Sequence, residues 1–272
     1  MKIIRFEDEA GRIQYGRYEG RKEGAVEAET LEGDLFTRMT PSGKKARVTR
    51  LLAPVVPVNI LCIGRNYVSH AEELGNLPPE NPILFMKNTA ALQHPHAPIR
   101  LPACQMNPPE VDYEGELVVV IGKAAHNVSE AEALDHVLGY TAGNDVSARH
   151  WQKEGGGGQW CRGKGFDTFC PLGPCLSTPD DIGDPQDLRI RTRLNGEIMQ
   201  DGHTSHMIFP IARLIAFLSQ GTTLLPGTVI LTGTPAGVGF GRDPQVFLKA
   251  GDAVEIDIEK IGILENPVEE AS

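Results

Sequence analysis

The chain lacks what several common classes of protein require. Its five cysteines (Cys62, Cys104, Cys161, Cys170 and Cys175) are odd in number and form no C-x-x-C pair. That excludes a disulfide framework or a thiolate zinc site, so the cysteines read as scattered core thiols. No apolar run approaches the ~20 residues needed to span a bilayer, so no membrane segment is expected. Lysine and arginine number 26 against 36 acidic residues, and they form no cluster dense enough for a nucleic-acid-binding face. With a net charge of −10, an anionic substrate would need local positive groups to attract it. The opening stretch Met1–Glu7 lacks the apolar core and cleavage site of a signal peptide and reads as a strand. The expected location is therefore cytoplasmic. There is no G-x-S-x-G elbow or cysteine–histidine signature for a covalent nucleophile. Internal repeats, low-complexity tails and a βαβ rhythm are missing too, which argues against a doubly wound sheet.

What is present is mostly strand signal. Residues 1–52 are charged and weakly hydrophobic, with strand-like pieces at Ile3–Phe6, Arg12–Tyr18 and Gly24–Glu27 and a loop at Thr40–Lys45. A soft boundary near Pro54–Pro57 separates this small N-terminal β region from a main domain over 53–272. In that domain Val58–Gly64, Pro82–Met86 and Leu117–Ile121 are apolar runs of buried-strand length. Leu188–Leu194 alternates, and Asn195-Gly196 then supplies a type I′ hairpin turn. Val254, Ile256 and Ile258 alternate with acids, giving a half-exposed strand. Two helices are expected. One opens at the capping box Ser129–Glu132 and ends near Gly139; the other runs from Phe209 to Gln220 and buries Ile211, Leu214, Ile215 and Leu218. The class is mainly β (α+β).

The chemistry starts at Asp112-Tyr113-Glu114-Gly115-Glu116, at the mouth of the apolar run Leu117–Ile121. A strand alternates faces with period two, so Glu114 and Glu116 point the same way, about 6.5–7 Å apart at Cα. An E-x-E on a strand is commonly a solvated face. Buried, the pair requires either a proton or a cation. Asp145 offers a third carboxylate, although an Asp there also suits a helix cap. Three carboxylates would form an oxygen site for Mg²⁺, Mn²⁺ or Ca²⁺ rather than zinc. His70 and Glu73, three residues apart, share one face of a helical turn. A carboxylate beside an imidazole suits a general base, and a plain surface pair is the bland alternative. Arg149 and Gln152, Lys164 after the run Gly155–Gly158, and Lys87 are candidate anion contacts or ordinary surface groups. The glycine-rich turn Leu231–Gly241 lacks a phosphate loop's ending, but could offer backbone N–H groups and the Thr234 hydroxyl to a carboxylate. His94/His96 and His203/His206 read as turn residues rather than metal ligands.

Taken in order, several of these segments resemble the fumarylacetoacetate hydrolase family. They are Ile63–Tyr67 with His70 and Glu73, Asp112–Leu117, Gly143–Arg149 with Trp151-Gln152, Gly163–Thr168 and Thr232–Gly239. The resemblance covers roughly 58–265, and Phe166–Pro174 is most similar to the branch containing fumarylacetoacetate hydrolase domain-containing protein 2. It implies a mixed β-sandwich roll, a homodimer and one divalent ion per subunit, Mg²⁺ or Mn²⁺, with Ca²⁺ able to take its place in a crystal. By the same resemblance Glu114, Glu116 and Asp145 are the metal ligands, and His70 and Glu73 form a base dyad on a lid. Lys164 would neutralise developing charge, while Arg65, Tyr67, Arg149, Gln152 and Thr234 would contact substrate. One departure is His150, where relatives commonly carry Asp after the arginine. The first 52 residues carry no diagnostic motif. The activity expected first is metal-dependent hydrolysis of a C–C bond in acylpyruvates or related 2-oxo acids. The alternatives are an oxaloacetate tautomerase or decarboxylase, a 2-hydroxy-dienedioate isomerase, or a non-catalytic protein stabilised by its metal.

Overall fold

A computed structural model describes residues 1–18, 27–104 and 110–271. Strands hold 44% of residues against 16% in helices, so the mainly β expectation stands. The spine is a large sheet in which Gly115–Ile121 lies between Val137–Asn144 and Thr228–Leu231. The all-apolar sequence of Leu117–Ile121 suits that position, since every residue from Gly115 to Ile121 is buried. Beyond Thr228–Leu231 the sheet continues through Asn59–Gly64 to an edge strand, Ile83–Lys87. In the other direction it passes through Cys170–Ser177 to Lys2–Glu7 and the remaining N-terminal strands. The N-terminal region is thus hydrogen-bonded into the main sheet, with Lys2 opposite Ser177.

A second, five-stranded sheet contains the hairpin Arg189–Leu194 and Glu197–His203, followed by Ala253–Ile258, Gly262–Glu270 and Ile99–Leu101. Asn195 and Gly196 take the left-handed conformations (φ 53° and 83°) that the hairpin turn needs. The two sheets touch at Gly115, where a Cβ would lie 2.2 Å from Thr192 Oγ1 and 3.0 Å from Ile256. Only glycine fits that approach, so the residue between the two glutamates is fixed by packing.

The helix Ile211–Ser219 buries Ile211, Leu214, Ile215 and Leu218 as expected, worth on the order of 6–12 kcal/mol of apolar burial. Pro210 is its N-cap, so the helix opens two residues later than Phe209, and Gly221 follows it at φ 65°. Three expectations need correcting. Ser129–Glu132 forms the capping contacts, with Glu132 Oε2 accepting from the Ser129 N–H and hydroxyl, but only a 3₁₀ turn, Ala133–His136, follows. Gly139 belongs to the strand Val137–Asn144, whose pairing outcompetes the local helix signal. Thr40–Lys45 is not a loop but part of Arg38–Arg47, and this strand tolerates Pro41 because it ends the sheet. Finally, Ile83–Lys87 exposes Leu84 and Met86 (47% and 44%), so it is a half-covered edge strand. Of the expected piece Gly24–Glu27, Glu27 opens the strand Glu27–Asp34, and the rest lies outside the described residues.

Candidate metal centre and active site

Glu114 and Glu116 leave the end of the central strand and are 6% and 1% exposed. Asp145, fully buried, follows the neighbouring strand, where its N–H donates to the Glu114 carbonyl (2.9 Å). Adjacent antiparallel strands therefore deliver three carboxylates to one spot, with an oxygen from each within 4.8 Å of the others. Among the described residues this is the one cluster of three such groups able to hold a metal ion.

Buried charge of this density needs partners. Lys164 Nζ donates to Glu114 Oε2 (2.7 Å) and Asp145 Oδ2 (2.6 Å), while Lys87 Nζ donates to Asp145 Oδ1 (2.5 Å). Arg149 donates to Glu114 Oε1 (2.7 Å), to Gln152 Oε1 (3.0 Å), and twice to Asp112 Oδ2 (2.9 and 2.6 Å). Asp112 also accepts from the N–H groups of Gly239 and Phe240. The network holds four carboxylates (Asp112, Glu114, Glu116, Asp145) and three cations (Lys87, Arg149, Lys164). Fully ionised, the network would carry one surplus negative charge, and among the described residues Glu116 is the carboxylate with no cation in contact, accepting there only the Gly233 N–H (2.6 Å).

The proton equilibria follow. Burial, then the charges of Asp145 and Glu114, push Glu116 well above the carboxylate range. Burial pushes Glu114 the same way, but Lys164 and Arg149 together outweigh it and hold Glu114 well below that range. Burial would weaken the Lys164 proton, yet Asp145 and Glu114 hold it more tightly than usual. A divalent cation beside Glu116 supplies the charge the cluster lacks, and an all-carboxylate donor set suits a hard ion. The residues present therefore fit such an ion.

The dyad lies on the short helix Val68–Glu73, where the i, i+3 spacing brings His70 Nδ1 to 3.2 Å from Glu73 Oε2. Glu73 Oε1 accepts from the Gly237 N–H (2.8 Å), tying this helix to the glycine-rich turn. Gly233 in that turn has φ +101°, and a Cβ there would sit 2.6 Å from Asn66 Cβ. Asn66 is buried and bridges the turn to Phe209: its amide donates to the carbonyls of Thr232 (2.8 Å) and Phe209 (3.1 Å). The turn's N–H groups thus serve the protein's own carboxylates, Glu116, Glu73 and Asp112.

A cavity of about 310 Å³ opens over the cluster. Glu114, Glu116, Lys164, Arg149 and Gln152 line it from the network, with His70, Arg65 and Thr234 around them. Three of the expected site residues do not line it. Asp145 is fully buried, and Glu73 is joined to the cavity through His70. Tyr67 is enclosed at 1% exposure, and its hydroxyl has no partner among the described residues. Arg149 and Thr234 differ from expectation in another way, because their polar atoms already bond to protein. The Thr234 hydroxyl donates to the Gly115 carbonyl (2.9 Å) and accepts from Gln200 (2.7 Å). Sequence reasoning missed Asp112 as the anchor of Arg149, although it stands in the same acidic run. It also missed Lys153, Trp160 and Phe240 in the wall.

A buried acidic trio beneath a cavity that His70 and Lys164 line has the make-up of an enzyme's active site. Residues 59–269 match the family described as fumarylacetoacetate (FAA) hydrolase C-terminal, and residues 1–54 match Rv2993c-like, N-terminal. The chain belongs to the fumarylacetoacetate hydrolase family.

Among its relatives is oxaloacetate tautomerase fahd2, mitochondrial, from Xenopus laevis, 51% identical over 80% of this chain and 68% of the relative. The human oxaloacetate tautomerase FAHD2A, mitochondrial, is 48% identical over the same shares. A solved 2-hydroxyhepta-2,4-diene-1,7-dioate isomerase from Mycobacterium marinum superposes with a TM-score of 0.85 at 40% identity. That alignment covers 100% of this chain and 99% of the isomerase. The similarity to the domain-containing protein 2 branch is therefore borne out. Among functions, these relatives favour tautomerisation or isomerisation over C–C hydrolysis. No helix among the described residues is long and apolar enough to cross a membrane.

Proposed function

We propose that this protein is a divalent-metal-dependent tautomerase of a small 2-oxo dicarboxylic acid, with oxaloacetate the first candidate. The observation that carries the reading is the pair of oxaloacetate tautomerases, 48% and 51% identical over 80% of the chain. The site supports it. Glu114, Glu116 and Asp145 would hold Mg²⁺ or Mn²⁺, which when bound supplies Lewis acidity toward the oxo group of a chelating 2-oxo acid. The cluster's surplus negative charge then becomes a surplus positive one, which favours a dianion.

His70 is the proton carrier. An ionised Glu73 only accepts, so its contact with Nδ1 assigns the ring proton there and leaves Nε2 with a free lone pair. In the keto-to-enol direction that nitrogen takes the proton from C3, Lys164 steadies the charge on the resulting enolate oxygen, and that oxygen then takes a proton from solvent; in reverse the hydroxyl proton leaves to solvent and His70 returns one to C3. Arg149 keeps Glu114 ionised and oriented, with Asp112 holding Arg149 in turn. Tautomerisation needs no water in the cavity, whereas the hydrolytic reading requires one placed against a distal carbonyl. We extend the proposal to a homodimer, supported by the apolar side chains Leu84 and Met86 on an uncovered sheet edge. An intracellular location belongs to it as well; both named relatives are mitochondrial.

The test is proton NMR of the purified protein with Mg²⁺ or Mn²⁺, offered oxaloacetate and a panel of acylpyruvates. Faster enol–keto exchange of oxaloacetate without new carboxylic acid products supports the reading. Release of pyruvate and a free acid from an acylpyruvate, with no effect on oxaloacetate exchange, returns the assignment to hydrolysis. Inertness toward every 2-oxo acid leaves a metal-stabilised binding protein.

A further inference from the structure

The cavity contains two kinds of cation. Those contacting the acidic cluster, Lys164 and Arg149, are each paired with two carboxylates. Two others, Arg65 and Lys153, also line the cavity, but among the described residues neither has a carboxylate within ion-pair distance. Each rests instead on an aromatic face. Lys153 Nζ lies 3.4 Å from the Phe240 ring centroid, and the Arg65 guanidinium lies 5.6 Å from that of Trp160. Both rings belong to the cavity wall.

A cation held only by a ring at a solvent-reaching rim is held weakly compared with one in a carboxylate pair. The two rim cations are also near enough to oppose each other. Burial, then the charge of Arg149, and at lower weight that of Arg65, reduce the hold of Lys153 on its proton. Glu110 and Glu154 act on Lys153 in the opposite sense, but neither forms an ion pair with it. Positive charge without a partner, turned toward an enclosed space, is a site prepared for an anion.

The geometry points to Lys153, poised on Phe240, as the group that takes the distal carboxylate of a 2-oxo dicarboxylic acid. This rests on the proposed tautomerase reading, in which the C1 carboxylate and 2-oxo oxygen face the acidic trio and the far end of the substrate faces the rim. Lys153 then sets specificity. A four-carbon diacid gains an ion pair that a 2-oxo monoacid of the same shape does not. Arg65, on the other ring, flanks the same carboxylate.

The experiment uses the full chain loaded with Mn²⁺ and two ligands, oxaloacetate and 2-oxobutyrate, which carries a methyl group in place of the distal carboxylate. Calorimetry gives their dissociation constants for wild type, Lys153→Met, Lys153→Arg and Phe240→Leu. In parallel, kinetics on oxaloacetate separate KM from kcat. Lys153→Met is expected to weaken oxaloacetate binding roughly tenfold and to leave 2-oxobutyrate within about twofold. Its kinetic loss falls on KM, Lys153→Arg restores most of the affinity, and Phe240→Leu lies between. If Lys153→Met changes neither ligand, or weakens both equally, the assignment is overturned. If wild type does not convert oxaloacetate yet Lys153→Met still discriminates between the acids in binding, the tautomerase reading falls and Lys153 keeps its role.

Discussion

Replacing Lys164 with methionine tests the charge balance of the buried cluster. The residue is 1% exposed, and its ammonium bridges Glu114 at 2.7 Å and Asp145 at 2.6 Å. Without it, four buried carboxylates face two cations at the floor of the cavity. Removing one partner of a buried ion pair costs about 3–5 kcal/mol, because the other is left charged and unpaired. In a chain of this size that lowers Tm by on the order of 10 °C. The loss should depend on pH. In the wild type Glu114 is held below its unfolded value, so its contribution is present above the carboxylate range and fades as pH falls through the depressed value. In the variant the carboxyl groups move upward, so the penalty is largest at neutral and alkaline pH and shrinks in acid. A divalent cation stabilises either protein by about 2.7 kcal/mol at a hundred times its Kd, but the variant, with more uncompensated negative charge, binds it more tightly and so recovers more at one Mn²⁺ concentration, which narrows the gap. Denaturant unfolding at pH 5 and pH 8, with and without Mn²⁺, reads all three effects. The reasoning is refuted if metal-free Lys164→Met stays within about 1 kcal/mol of wild type at pH 8, or if Mn²⁺ leaves the gap unchanged.

Other consequences are as concrete. Because burial, Asp145 and Glu114 raise the Glu116 pKa, the metal-free site carries a proton that an arriving cation must displace. Below that raised value, Mg²⁺ affinity should rise about tenfold per pH unit, with about one proton released; calorimetry in buffers of different ionisation enthalpy measures both. His70→Gln should lower kcat by about 10²–10⁴ with Mn²⁺ affinity intact, and an equal loss of metal binding would remove His70 from the proton chemistry. Gly64→Ala would place a Cβ 2.3 Å from Trp160 Cζ3. The displaced ring should raise KM for oxaloacetate without changing cation binding, which steady-state kinetics and a Mn²⁺ titration separate.

Much of the site is visible in the sequence because it depends on local periodicity. Period two on a strand puts Glu114 and Glu116 on one face, the i, i+3 spacing joins His70 to Glu73, and Asn195-Gly196 is a turn by its own backbone preference. What is not legible depends on distant pairing. Lys87 meets Asp145 from a separate strand, and Arg149 finds Asp112 across 37 positions of chain. Tyr67 sits in a site-like motif, but folding encloses it in the core. The same cause explains the misread elements. The capping contacts of Ser129 form, yet the chain after Ala133–His136 is drawn into the sheet. Pro41 and Gly43 look like a loop until the strand's place at the edge of the sheet is known. The apolar run ending at Met86 would read as interior in a central strand, and only topology shows that its outer face is bare.

The decisive measurement is the rate at which enol-oxaloacetate absorbance decays in the presence of purified protein, as Mn²⁺ is titrated into wild type and Glu116→Gln. We expect decay that accelerates and saturates as the wild-type site fills, and no acceleration in Glu116→Gln at the same cation concentration. Acceleration that persists in metal-free wild type, or that is equal in Glu116→Gln, would contradict the assignment of the acidic trio as the seat of a catalytic cation.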